Sequence, residues 1–307
     1  MTARSLNIAH RGGAALWPEN TLPAFKEAIK MGADGIEFDL QLSSDGVLVI
    51  YHDSSLRPSN TKRDGQFVKK PADTLKNLSL AQLQSLDVGE DLNRRENGLF
   101  TSFPGTPVPT WHDLMDTIDS HAPDNFRLYA ELKTDLSDKK ENTLLSAAFS
   151  VALSQRADLH RFHLVSFDWR CIDYVRARFP ELQHAYTTLE FSVTDPEQGS
   201  ANDSIEHQFL RAASQNGAHW FGPHDWRSQN GADHGEKVLN AIAAAKGKAW
   251  FAYWRDITPE RVKQANSLGI KVSAWTVNEQ ADMTMLQTMG IEALITDRPD
   301  LLKVLNG

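Results

Sequence analysis

Four short polar motifs fall within the first 53 positions: Ala9-His10-Arg11-Gly12, Pro18-Glu19-Asn20-Thr21, Glu37-Phe38-Asp39 and His52-Asp53. Two of them sit at the ends or inner faces of stretches that otherwise read as buried strands. An unpaired carboxylate there is expensive away from water, so something positive must compensate it. Glu37, Asp39 and, farther along, Glu131 form an all-oxygen set, and the single cysteine, Cys171, reads as a helix-packing residue. Hard oxygen donors select Ca²⁺, Mg²⁺ or Mn²⁺ over softer metals, with His52 adding a lesser zinc character. The competing account is a charge network with Arg11 and Lys133 and no metal, but two cations leave one carboxylate uncompensated. His10 and His52 beside a carboxylate cluster suit a general acid and a general base, the role for which the imidazole side chain is fitted. Arg11 presents a planar fork that matches phosphate oxygens. With Lys133 and a divalent cation beside it, the set describes a phosphate-ester site. Asn20 can cap the helix that follows it, with Glu19 favourable near the helix N-terminus. Both residues can also order the loop of His10 and Arg11 or touch metal or substrate, and the two roles are compatible.

These residues need a scaffold that points them at one place. Short β-like runs alternate with amphipathic helical ones: strands are expected at 6–10, 35–42, 47–52, 126–133, 163–167, 184–189, 219–222, 249–253, 271–277 and 293–297. Helices are expected from residue 21 to near Gly32, near 80–86 and near 111–120. The alternation predicts a parallel (β/α)8 barrel of the TIM type, with one or two of the ten strands as hairpin or rim additions. Period-2 alternation then sorts the faces. Ile36, Phe38 and Leu40 oppose Glu37, Asp39 and Gln41; Leu128, Ala130 and Leu132 oppose Tyr129, Glu131 and Lys133; Val272 and Ala274 oppose Ser273, Trp275 and Val277. With the aliphatic sides under the helices, Glu37, Asp39, Glu131, Lys133 and Trp275 point into the barrel mouth, where such barrels carry their active sites.

Asp45-Gly46 between two strand-like runs is a strong tight-hairpin signal. A two-residue loop there pairs Ser44 with Val47 and sets Asp39 directly opposite His52, with Cβ atoms roughly 5 Å apart. Residues 53–110 break the rhythm with prolines and basic residues, Arg94 among them, and read as an insertion over or beside the mouth of one 307-residue catalytic domain. The remaining histidines read individually as ordinary packing or surface residues.

A hydrophobic content of 41% supports a large core, and a net charge of −8 with pI about 5.8 argues against a nucleic-acid partner and against stable association with anionic membranes. No apolar stretch approaches the roughly 20 residues that span a bilayer. The N-terminus shows no apolar leader, which leads to the expectation of a cytoplasmic protein, or a periplasmic one if a signal peptide has been removed.

Taken in order, His10-Arg11-Gly12, Pro18-Glu19-Asn20-Thr21, Glu37-Phe38-Asp39, His52-Asp53, Glu131-Leu132-Lys133, Ser166-Phe167, Trp275-Thr276-Val277-Asn278 and Thr296-Asp297-Arg298-Pro299 resemble the motif series of the glycerophosphodiester phosphodiesterases. The resemblance runs over nearly the whole chain and includes an insertion like 53–110. It implies a TIM-type barrel with one divalent cation, commonly Ca²⁺ or Mg²⁺, held by Glu37, Asp39 and Glu131, with Glu19 a further contributor. It implies His10 and His52 as catalytic acid and base, Arg11 and Lys133 on the phosphate, and Trp275 walling the site. The implied reaction is hydrolysis of a small glycerophosphodiester to sn-glycerol 3-phosphate and an alcohol. Either water or the glycerol 2-hydroxyl can be the nucleophile, and either histidine the acid. Two other readings compete: a phospholipase D-like enzyme on lysolipids, which calls for an apolar rim near Trp220, Phe221, Trp226, Trp250, Phe251, Tyr253 and Trp254, and a barrel that binds phosphodiesters without cleaving them.

Overall fold

The computed structural model describes residues 4–96, 98–135, 138–194, 208 and 225–307. Eight parallel strands close into a barrel: β1 (Leu6–Ala9), β2 (Gly35–Leu42), β6 (Arg127–Leu132), β7 (Phe162–Ser166), β8 (Gln183–Thr187), β9 (Ala249–Tyr253), β10 (Lys271–Trp275) and β11 (Ala293–Thr296). The ring is completed by β1, which pairs with both β11 and β2. Of the ten expected strands, the run at 47–52 becomes β3 (Leu48–Ile50), an antiparallel rim strand on the upper edge of β2. The stretch 219–222 lies outside the described residues, and β8 pairs directly with β9.

The alternation sorts the faces as the sequence predicts except at Val277, which lies past the end of β10 and packs in the outer core rather than inward. Ile36, Phe38, Leu40, Leu128, Ala130, Leu132, Val272 and Ala274 pack in the core between barrel and helices. Each fully buried Leu, Ile or Phe there contributes about 1.5–3 kcal/mol relative to exposure. The helix after β1, α1 (Leu22–Met31), starts where Thr21 accepts a hydrogen bond from the Ala24 amide and stops at left-handed Gly32. Losing such a cap costs about 1 kcal/mol.

The hairpin differs from its expected register. Leu42 pairs with Leu48 and Gln41 with Val49, while the Ser43 amide bonds the Val47 carbonyl at 3.0 Å. The loop is therefore three residues, Ser44-Asp45-Gly46, with Gly46 at φ 79° supplying the left-handed position. One extra residue slips the register by one. Asp39 faces Tyr51, whose amide donates to the Asp39 carbonyl at 3.1 Å, so direct pairing of Asp39 with His52 does not occur.

Residues 53–110 hold a two-residue hairpin, β4 (Lys62–Arg63) with β5 (Gln66–Phe67), and one short helix, α2 (Leu80–Gln84). Leu56, Leu75, Leu78, Leu83, Leu86, Val88 and Val108 form a small core of their own against Val49 and Tyr51 of the β3 region. After it come α3 (Trp111–His121), which returns to the barrel, and α4 (Lys139–Ser154), which follows β6. No helix of the described residues is long and apolar enough to cross a membrane.

Candidate active site

β1 ends at Ala9 and the chain turns tightly through His10, Arg11 and Gly12, with Arg11 at φ 51°. A Cβ on Gly12 would stand 2.9 Å from the Ala24 Cβ, so glycine lets this turn lie against α1. The turn aims the Arg11 amide at Glu37 Oε2, 3.1 Å away. The β1–β11 register, with Ala9 beside Thr296, brings His10 next to Asp297. His10 Nδ1 lies 2.7 Å from Asp297 Oδ1. Asn278 donates to Asp297 Oδ2 at 2.8 Å and accepts from the Asp297 amide at 2.9 Å. Burial opposes ionisation of Asp297, but His10 and Asn278 outweigh it and hold the carboxyl well below the usual range. An ionised Asp297 accepts a hydrogen bond from His10 Nδ1–H, which leaves His10 Nε2 as the exchangeable atom, 3.8 Å from Glu37 Oε2.

The three predicted carboxylates converge. Asp39 and Glu131 are side by side in the β2–β6 register, and Glu37, Asp39 and Glu131 each offer an oxygen within 4.8 Å of the others. Glu37 Oε1 and Asp39 Oδ1 are buried with no hydrogen bond among the described residues. Burial, followed by repulsion from Asp39 and Glu131, pushes the Glu37 carboxyl well above its ordinary pKa. Asp39 is buried too, yet Arg11 and Lys133 overcome that and keep it ionised. The Asn20 amide donates to Asp39 Oδ2 at 2.7 Å while its oxygen accepts from the Asp39 amide at 3.2 Å. Asn20 does this from φ 58°, a left-handed conformation that asparagine tolerates better than most residues. Lys133 Nζ lies 2.7 Å from Glu131 Oε1 and 3.5 Å from Asp39 Oδ1. Two buried carboxyl oxygens without a hydrogen bond, in an all-oxygen set, fit a hard divalent cation.

His52 reaches the mouth by another route than the hairpin. The Gln41 amide, on the inner face of β2, donates to the carbonyls of Tyr51, His52 and Asp53 at 2.7, 3.2 and 3.0 Å and fixes the turn after β3. His52 Nδ1 lies 2.7 Å from Asp53 Oδ1, so Nε2 is again the exchangeable atom. Arg57 donates to Asp53 Oδ2 at 2.5 Å and reaches Glu19 Oε1 at 3.0 Å. Buried Glu19 also meets Arg11 at 3.2 Å and Arg94 at 3.8 Å. Its charge therefore ties the His10 turn to the insertion. His52 and Lys133 line one cleft of about 520 Å³, and His52 helps hold Asp39 and Glu19 ionised.

Trp275 stands across the mouth, its ring edge-on to Phe167 at 5.6 Å and its Nε1 donating to the Phe251 carbonyl at 3.1 Å. Phe167 in turn lies 6.0 Å from Lys133 Nζ. The apolar rim expected for a lipid-active enzyme is mostly core: Trp226, Trp250 and Phe251 are buried, Tyr253 and Trp254 are half-buried, and Trp220 and Phe221 lie outside the described residues. The motifs of the sequence include Asp53 and Asp297 but give neither a role beside a histidine. Asp297 was discoverable from barrel closure, because a closed ring sets the end of the first strand beside the end of the last. Arg57 had no signal beyond its nearness to His52-Asp53.

The chain matches the glycerophosphoryl diester phosphodiesterase family over residues 10–301. It belongs to that family. It is similar to a glycerophosphodiester phosphodiesterase from Caldanaerobacter subterraneus subsp. tengcongensis, 26% identical over 97% of this chain and 96% of that one. It is also similar to glycerophosphodiester phosphodiesterase 1 of Bos taurus, 32% identical over 94% of this chain and 77% of that one. Among solved structures, a crystal structure from Silicibacter pomeroyi DSS-3, provisionally named a glycerophosphoryl diester phosphodiesterase, superposes with a TM-score of 0.80. That likeness is at 26% identity and covers 100% of this chain and 94% of the other.

Proposed function

We propose that this family member hydrolyses glycerophosphodiesters to sn-glycerol 3-phosphate and an alcohol by acid–base catalysis between His10 and His52. The observation that carries the reading is the matched pair of histidines, each with Nδ1 held 2.7 Å from a carboxylate and each with Nε2 left to exchange a proton. Between them lies the acidic set. One imidazole takes a proton from the attacking water, or from the glycerol 2-hydroxyl on a route through a cyclic phosphate that water then opens, as the attacking oxygen bonds to phosphorus. As the other P–O bond breaks, the second histidine, protonated, gives its proton to the departing alkoxide. Arg11 and Lys133 hold the phosphate oxygens, and Asn20 keeps Asp39 in place by two hydrogen bonds. Glu37, Asp39 and Glu131 would hold one divalent cation, Ca²⁺ or Mg²⁺ with Mn²⁺ also compatible, which when bound neutralises phosphate charge. Glu19 orders the Arg11 turn, and Trp275 closes one wall.

The test is coupled detection of glycerol 3-phosphate from glycerophosphocholine and glycerophosphoethanolamine, first in EDTA and then with Ca²⁺, Mg²⁺ or Mn²⁺ restored. Release that depends on the metal is the expected result. Release undiminished in EDTA sinks the cation assignment. Release from lysolipids alone moves the reading to the phospholipase D-like class, and binding with no product leaves a non-catalytic barrel.

A further inference from the structure

The cleft that His52 and Lys133 line does not end at the acidic set. It runs outward between the insertion and the first turn of α4, with a volume of about 520 Å³. One wall carries the hydroxyls of Ser54, Ser55 and Thr74, and the other carries Asp135 and Glu141. Asn142 stiffens that second wall. Its amide donates to the Asp135 carbonyl at 2.9 Å and its oxygen accepts from the Asp135 amide at 3.2 Å. Lys76 of the insertion reaches across to Asp138, the α4 cap, at 3.0 Å, and Lys133 meets Glu131 at 2.7 Å, so both ammonium groups of the cleft are already matched. Glu141 is half-buried, and its carboxylate makes no hydrogen bond or ion pair among the described residues.

The geometry points to this cleft as the subsite for the alcohol portion of the diester, selective for a primary-ammonium alcohol such as ethanolamine over a quaternary one such as choline. The inference rests on the hydrolase reading for the phosphate's place beside His52. A primary ammonium carries three donors that hydroxyl and carboxylate acceptors satisfy, with Glu141 as its charged partner. A quaternary ammonium has no donor and is recognised by aromatic faces. Among the described residues no aromatic side chain other than the His52 imidazole lines the cleft, whose apolar contribution is Leu42 and Leu145.

Two ratios test it. The first is kcat/KM for glycerophosphoethanolamine over glycerophosphocholine, and the second is the ratio of their affinities measured by titration calorimetry in EDTA, where metal plays no part. Both are read within each protein, wild type and Glu141→Gln, so a poorly folded fraction cancels. The wild type should favour the ethanolamine diester roughly tenfold, the size of one charge-assisted hydrogen bond, and Glu141→Gln should bring both ratios near one. Turnover with ratios near one in the wild type, or unchanged in Glu141→Gln, overturns the subsite and leaves the hydrolase standing. An affinity ratio that collapses in Glu141→Gln without any turnover supports the subsite and sinks the hydrolase. Failure of both diesters to bind or turn over overturns both.

Discussion

The inside of this barrel holds two layers built on the same strands and unlike in every chemical respect. The lower layer is Ile8, Tyr129, Val165, Ala185, Phe251, Ala293 and Ile295, an apolar plug. The upper layer, at the strand ends, is Glu37, Asp39, Glu131 and Lys133. On β6 the change takes two residues: Tyr129 faces inward in the plug and Glu131 faces inward at the mouth, about 7 Å higher along the strand. A histidine in each layer makes the contrast sharp. His163 stacks on Tyr129 at 4.4 Å, and burial followed by the nearby charges of Arg127 and Lys271 pushes its pKa down to about 3. It is a neutral packing ring. His10, at the mouth, has an ionised carboxylate on Nδ1. Carboxylate partnership, rather than residue type, separates chemistry from packing here.

The largest expected effect follows from that difference. His10→Ala or His52→Ala should lower turnover by about 10²–10⁴-fold while the protein still folds. His163→Phe, which keeps an aromatic ring against Tyr129, should leave kcat within about threefold. Steady-state kinetics on all three variants decides it. Near-wild-type activity in His10→Ala, or a His163→Phe loss as deep as that of the mouth histidines, would erase the distinction between the layers.

The same contrast explains what could be read ahead of the structure. The barrel was legible because each strand carries its own two-residue alternation, and inward carboxylates on β2 and β6 stand out against aliphatic outer faces. Convergence of Glu37, Asp39 and Glu131 follows from that parity alone. The β2–β3 register was not legible, because Asp45-Gly46 serves a two-residue and a three-residue loop equally well, and left-handed Gly46 takes the longer one. His52 nevertheless reaches the mouth, held by Gln41 through three backbone carbonyls, a contact that no local pattern announces. Asp297 and Arg57 were hidden for a related reason: their partners are 287 and 5 residues away, and only the closed ring and the folded insertion bring them in.

An intermediate effect concerns stability. The upper layer crowds three acids, and Glu37 Oε1 and Asp39 Oδ1 are buried with no hydrogen bond among the described residues, so the site opposes folding when no cation is present. Glu37→Gln removes the carboxylate with the least compensation, its side chain reaching, among the described residues, only the Arg11 amide at 3.1 Å and His10 at 3.8 Å. In EDTA the variant should be more stable than wild type by about 1 kcal/mol, within the range that relief of a functional site yields. It should also lose the rise in melting temperature that Ca²⁺ or Mg²⁺ gives the wild type. Calorimetry with and without cation reads both. A less stable Glu37→Gln in EDTA would mean that the triad is a structural network.

An effect of comparable size concerns a second pair, two carboxylates that follow barrel strands. Asp297 has His10 and Asn278 and stays ionised. Asp256, just after β9, accepts two hydrogen bonds from the Phe191 amide at 3.1 and 3.0 Å. Burial dominates there and raises its pKa to about 7, with the amide and the more distant Arg261 only partly offsetting it. In the unfolded chain this group ionises near 3.8, whereas the folded protein keeps the proton until about pH 7. The unfolded state therefore binds fewer protons across that window. Stability falls as pH rises from about 4 to about 7 and levels off above. Asp256→Asn removes this contribution and keeps an acceptor for the Phe191 amide. Its stability relative to wild type should rise between pH 5 and pH 8 by about 1–2 kcal/mol, less than the full shift implies because the site relaxes on ionisation. Urea melts at the two pH values measure the difference, and a difference that stays flat with pH would mean that Asp256, like Asp297, is ionised in the folded protein.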